Sequence, residues 1–527
     1  MKFKLCLFYF TLSFIEALYA QPNIQWSKCY GGYYDEIPSS MIQTSDHGFL
    51  IIGSTSGNSG DVSGFHGVFA GDAWALKIDS IGSIEWQKCL GGTSYDGGVK
   101  AIEVENGYVI ACDGGSFDGD QTGNHGSTDF WLIHLDYFGN IVWERSYGAD
   151  FTEMVYGLST TPDGGIVVSG LSRSVNNGDV QGSYYTTGAV GDAWVIKLDS
   201  IGNLQWQKCV GGSNTESYGD NVVDELGNIY LIPLSGSIDF DVTCRSNLFG
   251  NGWLVKLDST GRVLWDKCYG GSGGGMFYSI TIKDNLILMS GSTGSSDGDL
   301  SHFYGYLDAW ILVTDTAGNK IFSQSYGGSL TDEFFDAKFT YDNKILAGGT
   351  TRSDDYDVSK RHGGAESWLV CVDMSGSLIW QNTYGGSGDE AIKSILPLED
   401  GRIAMASFTS SINDGDVTGF HWLTDIWFTL LDMTTGINTN LVEQFLVFPQ
   451  PFSTSFTLQL PTPELKNLGC QIEMYDIKGR VINLSSSISE NKIRITPDVS
   501  LASGMYFVQV IDETGNYNFK VCKTPVN

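Results

Sequence analysis

The chain has 527 residues, with 61 acidic against 30 basic side chains, a formal charge of −31, 67 glycines and 13% aromatic residues. So many aromatics exclude a disordered chain, and the lack of a three-residue glycine period excludes a collagen. The acidic balance excludes nucleic acid and anionic lipid as partners and suits cations or basic surfaces.

The first element is a leader. Lys2 and Lys4 precede an apolar run over 5–15, and Ala20 stands before Gln21, the pattern of a secretory signal peptide over residues 1–20. No later run is long and apolar enough to span a bilayer, so the expectation is a secreted or outer-surface protein without a transmembrane segment.

Residues 21–439 are organised by a repeat. The stretch GDAWALKIDSIGSIEWQKCLGG at 71–92 returns as GDAWVIKLDSIGNLQWQKCVGG at 191–212. Weaker copies place an equivalent Trp at 74, 131, 194, 253, 310, 368 and 427, a mean period of about 59 residues. Within one unit, alternating apolar residues predict strands a to d at 37–44, 49–55, 72–79 and 83–90, with Gly-rich punctuation between them. Four strands per repeat predict a blade, and the whole predicts an all-β, seven-bladed β-propeller. The last copy lacks strand d, while IQWSKCYGG at 24–32 is a strand d without a blade. The N-terminal strand is therefore expected to complete blade 7 and remove its open edge.

In such a blade the a–b and c–d turns emerge on one face and the b–c and d–a loops on the other. The first set is short, as in Asp-x-x-Gly for c–d. The second is long and acidic, with Asp61, Asp120, Asp179, Asp241, Asp299, Asp357 and Asp416 recurring in b–c. The long-loop face is the expected working surface.

Nine cysteines follow the leader. Cys29, Cys89, Cys209 and Cys268 share one repeat position, where other copies have Ser146, Ser325 and Thr383. A site accepting all three residue types is expected to hold a small packing side chain rather than a bridge or a metal ligand.

His66, His125, His302, His362 and His421 lie in b–c loops, and Asp72, Asp129, Asp308, Glu366 and Asp425 stand two residues before the strand c Trp. These groups either ligate a transition metal or tie the loop to strand c by hydrogen bonds; repetition favours the second. Asp118 with Asp120, Asp297 with Asp299, and Asp414 with Asp416 form Asp-Gly-Asp clusters that suit Ca²⁺ or simple Asx turns. Of fourteen Trp, thirteen occupy the two repeat positions; Trp422 does not. His421, Trp422 and Asp425 are accordingly the candidate ligand-binding residues for a glycan or an extracellular protein. No G-x-S-x-G or H-E-x-x-H motif marks a catalyst. A polysaccharide-degrading enzyme and a purely structural surface protein remain alternatives to a binding or adhesion module.

Two resemblances extend this reading. Leu198-Asp199-Ser200-Ile201-Gly202 with Trp206 resembles the tryptophan-docking repeat of quinoprotein-like propellers, which implies the fold and no quinone. In residues 440–527, LVFPQPFSTSFTLQL, IEMYDIKGRVI and LASGMYFVQVIDETGNYNFKVCK resemble the type A C-terminal sorting domain of the type IX secretion system of Bacteroidota. That likeness implies a small β-sandwich that engages the type IX machinery and delivers the protein to the cell surface or the medium. Cys470 and Cys522 within it are candidates to pair.

Overall fold

The computed structural model describes residues 21–67, 70–185, 190–217, 219–244, 251–359 and 361–432, and in the C-terminal part 446–448, 454–459, 471–476, 480–489, 492–497, 501–502, 504–512 and 515–523. The leader, the linker and Cys470 lie outside them. The chain divides into two compact units, Met1–Met433 and Thr434–Asn527. All regular structure among the described residues is β.

The larger unit consists of antiparallel sheets of one pattern. Sheet 1 runs Glu36–Gln43, Phe49–Thr55, Asp72–Ile78 and Ile84–Leu90 in spatial as in chain order. Sheets 2 to 6 begin at Asp96, Glu153, Glu216, Gly275 and Asp332. Sheet 7 takes Glu390–Pro397, Ile403–Thr409 and Asp425–Asp432 and adds Asn23–Tyr30 as its outer strand. Each first strand touches the first strand of the next sheet, and that of sheet 7 touches that of sheet 1. Radially stacked four-stranded meanders of this kind make a β-propeller.

The repeat chemistry explains the packing. Strands b and c are buried along almost their whole length, and each strand c Trp, from Trp74 to Trp427, is fully buried. In six of them the indole N–H donates to a polar side chain thirteen residues on, as from Trp74 to Gln87 at 2.8 Å and Trp194 to Gln207 at 2.9 Å. Opposite the same Trp, the ladder places Cys89, Ser146, Cys209, Cys268, Ser325, Thr383 or Cys29, so bulk on one strand is matched by a small side chain on its neighbour. Cys29, Cys89 and Cys209 are free and buried there. Cys268 corrects the expectation for this position: it is bonded to Cys244. The b–c loop of sheet 4 brings Cys244 beside it, and a side chain chosen for size also had a thiol to offer.

Between sheets, the glycine of each c–d turn lies on the outer-strand aromatic of the preceding sheet. Gly82 sits on Trp26, Gly139 on Trp86, Gly202 on Trp143, Gly261 on Trp206, Gly318 on Trp265 and Gly376 on Phe322. A Cβ on any of them would stand 2.7–3.1 Å from the ring, and each has φ between 72° and 85°. Only glycine satisfies both conditions. Outer-strand tyrosines add a clasp, Tyr30 donating to the Gly82 carbonyl at 2.7 Å, Tyr269 to Gly318 at 2.6 Å and Tyr326 to Gly376 at 2.6 Å.

Sheet 4 is the irregular one. Its first two strands break into Glu216–Ser217 with Asn221–Val223, and Ile229–Leu231 with Leu234–Ser235. Pro233 interrupts the second because it has no N–H for the ladder.

The C-terminal unit has two four-stranded sheets. One orders Leu446–Phe448, Phe456–Gln459, Lys492–Pro497 and Leu484–Ser489; the other orders Val481–Ile482, Gln471–Asp476, Gly504–Asp512 and Gly515–Lys523. Phe456, Ile493 and Ile495 of the first and Met474, Tyr506, Val508 and Val521 of the second belong to one buried cluster.

Candidate functional site

The long-loop face is built from two sets of hydrogen bonds that use up most of the recurring acids. In every repeat the b–c loop Asp is anchored to the glycine ending the preceding outer strand: the Asp61 N–H donates to Gly31 O at 2.9 Å, and the Asp416 N–H to Gly385 O at 2.9 Å. The glycine N–H returns a bond to the same Asp in six of the seven, at 3.3 Å for Asp61 and 3.0 Å for Asp299. The first Asp of each Asp-Gly-Asp accepts from the d–a loop instead, Asp118 from Thr93 N–H at 2.8 Å, Asp297 from Ser272 at 2.6 Å and Asp414 from Ser387 at 3.0 Å. Those donors hold the Asp297 and Asp414 carboxyls below the usual carboxylate range. The structure thus brings the two acids of Asp118/Asp120, Asp297/Asp299 and Asp414/Asp416 onto one loop but turns them to different neighbours. No group of three metal-ligating side chains occurs among the described residues.

The histidines serve the second set. His66, His125 and His421 each donate a backbone N–H and bring Nδ1 to within 2.7–2.8 Å of one oxygen of Asp72, Asp129 and Asp425. His362 pairs with Glu366 more loosely, at 3.3 Å. His302 departs, its Nδ1 meeting Ser301 Oγ at 2.7 Å, while Tyr304 N–H serves Asp308. The acids are fully buried. Burial pushes the Asp425 carboxyl up, and pushes Asp192 up to about 7 and Asp308 up to about 6. The loop-tying reading is the one the geometry follows.

Each such acid faces a second buried acid on the first strand of the next sheet. A Cβ on Gly31 would meet Glu36 Oε2 at 2.5 Å and Asp425 Oδ1 at 2.7 Å, and Gly91 and Gly211 stand likewise between Asp72 and Asp96 and between Asp192 and Glu216. At the junction of sheets 4 and 5 both positions change together, to Asn251 and Gly275.

The candidate trio divides. Asp425 is buried, His421 is exposed with Nδ1 bonded to Asp425, and Trp422 is 67% exposed. Its place is fixed from both sides. Asn413, at φ 51°, accepts from Gly419 N–H at 2.7 Å and Phe420 N–H at 3.0 Å, and Phe420 is buried in the core of sheets 6 and 7. On the far side Thr424 bridges Asp35, and the Glu36 N–H donates to Thr424 O at 2.8 Å. The indole is held out on a pinned loop rather than tucked beneath it. Leu423 is exposed next to it, and the d–a loop across the Thr424 bridge exposes Tyr33 and Tyr34.

Other exposed aromatics of this face escaped the sequence reading. Tyr95 and Phe151 lie in d–a loops, and Phe117, Phe240, Tyr306 and Tyr356 in b–c loops. Their sequence signal, an aromatic soon after the glycine ending strand d, as at Tyr95 and Phe151, or beside the recurring Asp, as at Phe240 and Tyr356, cannot be told from a core residue by sequence alone.

The described cavities open on the other face, beside the a–b turn Leu398–Arg402 of sheet 7. One of about 510 Å³ includes Ser45, His47, Glu103 and Arg402; one of about 440 Å³ includes Tyr341, Leu346, Cys371 and Trp380.

Comparison with known proteins bears on both units. Residues 446–524 match the secretion system C-terminal sorting domain family. No curated protein matches the chain. Among solved structures, the WD40 domain of Neurospora crassa Pan2 is similar at 9% identity and a TM-score of 0.43, over 75% of this chain and 89% of that one. A Dyadobacter fermentans protein of unknown function is similar at 12% identity and 0.37, over 78% and 99%. A Bacteroides vulgatus member of the duf4221 family is similar at 11% identity and 0.33, over 63% and 91%. The propeller itself stands on the strand order and pairing of this chain. With its C-terminal unit a secretion sorting domain, the protein is an all-β propeller protein delivered to the cell surface or the extracellular space.

Proposed function

We propose that this protein is a binding or adhesion module of the cell exterior: a closed seven-bladed propeller, followed by a sandwich read by the type IX machinery, that holds a glycan or an extracellular protein on its long-loop face. The observation carrying this reading is Trp422, exposed on a loop pinned by Asn413, Asp425 and Asp35. A rigid exposed indole supplies a stacking platform for a sugar ring or an anchor for a partner, with little entropy left to lose on binding. The neighbouring aromatics and the acidic fringe extend the surface. The most deeply repeated acids support this over a hydrolase, since Asp72, Asp129 and Asp425 are sealed from solvent and tied to loop N–H groups.

A glycan array probed with the mature chain and with Trp422→Ala tests the reading. Saturable binding without turnover, lost in the variant at an unchanged melting temperature, is expected. Intact binding by the variant, or cleavage of a bound polysaccharide, overturns it.

A further inference from the structure

One departure from the repeat occurs twice, and each time it changes two residues together. In six b–c loops the residue whose backbone N–H serves the buried acid of strand c is His66, His125, Tyr184, Tyr304, His362 or His421. In every b–c loop the residue just before the recurring Asp is left-handed. Five loops have glycine there, Gly60, Gly119, Gly178, Gly298 and Gly415, with φ from 52° to 71°; the other two have Phe240 at 56° and Tyr356 at 53°. Where the first position is histidine, the second, on the following sheet, is glycine. Where the first is tyrosine, the second is an aromatic ring.

The paired changes meet in space. Tyr184 and Phe240 have ring centroids 4.9 Å apart at 30°, across the junction of sheets 3 and 4. Tyr304 and Tyr356 lie 4.8 Å apart at 28°, across the junction of sheets 5 and 6, and His302 continues that row at 6.2 Å and 19° from Tyr304. The ring closes without such pairs, since at four junctions histidine and glycine make the same backbone bonds. A left-handed backbone is also strained under a bulky side chain and relaxed under glycine. The rings do not form a core either: Phe240 is 62% exposed, Tyr356 70%, and Tyr306 beside them in the sheet 5 loop 82%.

Carboxylates flank both displayed rings, Asp239 and Asp241 around Phe240 and Asp355 and Asp357 around Tyr356. Asp241 also accepts from the Tyr184 OH at 2.7 Å. A ring between acids fits a pyranose, whose C–H face stacks on the aromatic while its hydroxyls donate to the carboxylates. The same platform at two places on one rigid scaffold suits a ligand that is itself a repeat, and the charge of −31 repels an anionic one.

We propose that the aromatic pairs at the junctions of sheets 3 with 4 and 5 with 6 are two binding platforms for one neutral polysaccharide chain. This deepens the function proposed above and rests on its long-loop face, but names the ligand class through rings other than Trp422.

The test is affinity electrophoresis of the mature chain in native gels holding mixed-linkage β-glucan, xyloglucan, galactomannan or dextran. Phe240→Gly and Tyr356→Gly restore the residue of the other five loops, so neither should lower the melting temperature. At least one polymer should retard the parent. Each single variant should bind that polymer at least tenfold more weakly, because the two platforms act on one chain. The double variant should run as in an empty gel. Loss of retardation in the double variant upholds the platforms whether or not Trp422→Ala still binds. Loss in Trp422→Ala alone overturns them and leaves Trp422 as the site. No retardation by any of the four polymers, or a double variant retarded like the parent, overturns the proposal and leaves these rings to a protein partner.

Discussion

Removing residues 21–30 tests whether the N-terminal strand closes the ring. That strand pairs with the last strand of sheet 7 from Asn23 opposite Asp432 to Tyr30 opposite Ile426. It contributes Tyr30, fully buried and hydrogen-bonded to Gly82 O, Cys29 at 3% exposure, and Trp26, stacked on Phe428 at 5.0 Å and 23°. At roughly 1.5–3 kcal/mol for a large apolar side chain fully withdrawn from water, buried Tyr30, half-buried Trp26 and the small Cys29 stabilise the ring by about 3–6 kcal/mol. A folded domain holds only about 5–15 kcal/mol in all. The deletion also bares the ladder edge of Asp425–Asp432 to other chains. Urea unfolding of residues 31–527 against 21–527, followed by tryptophan fluorescence, should show loss of most of the propeller's stability, with aggregation near the midpoint. The milder Tyr30→Phe should lose about 1 kcal/mol, the value of one buried hydrogen bond. A deletion whose midpoint matches that of the intact chain would refute the closure.

Burial, reinforced by the nearby Asp425, pushes the Glu36 carboxyl from 4.5 up to about 7. The folded state then holds its proton more tightly than the unfolded chain, so the contribution is full below pH 4.5 and is lost as pH rises through about 7; it is worth about 3 kcal/mol. Glu36→Gln should therefore flatten the melting temperature across that window, and an unchanged slope would count against the buried pair. Because Asn can still accept the Thr93 N–H bond that Asp118 takes, and Asp120 is tied to Gly91 O by its own backbone N–H, Asp118→Asn with Asp120→Asn should leave the melt within a degree or two. A Ca²⁺-dependent rise over chelator in the parent that vanishes in this variant would instead show that the loop holds metal. Deleting residues 446–524 should leave a folded propeller retained in the periplasm, which fractionation of a native host would reveal.

Much of the fold was legible because the chain aligns with itself. Seven Trp at a near-constant spacing, and an outer strand without a blade at each end's expense, translate directly into sheet order and pairing. The histidines were also readable, since a group repeated in most units has a scaffolding task. What escaped reading depends on contacts between units that the period does not encode. Cys268 and Cys209 have the same place in the repeat, and only a neighbouring loop makes one of them half of a disulfide. Trp422 stood out as the indole with no repeat position, but whether it was buried or displayed turned on Asn413 and Thr424, two small residues without a signature.

Pairing the first strand of the mature chain with the last strand of the propeller also governs when the molecule can fold. Asn23 and Asp432 lie at opposite ends of this unit, so the seal depends on the contact of longest sequence separation, the kind that forms slowly because loop entropy is lost before any bond is gained. Sheets 1 to 6 are local meanders that can assemble as they emerge, whereas sheet 7 must wait for the whole unit. Until Asp432 has been made the growing chain can be no more than an open arc, and it locks only when its two ends meet. For a protein that carries a secretion sorting domain, such a fold keeps the propeller unsealed until the whole unit is present.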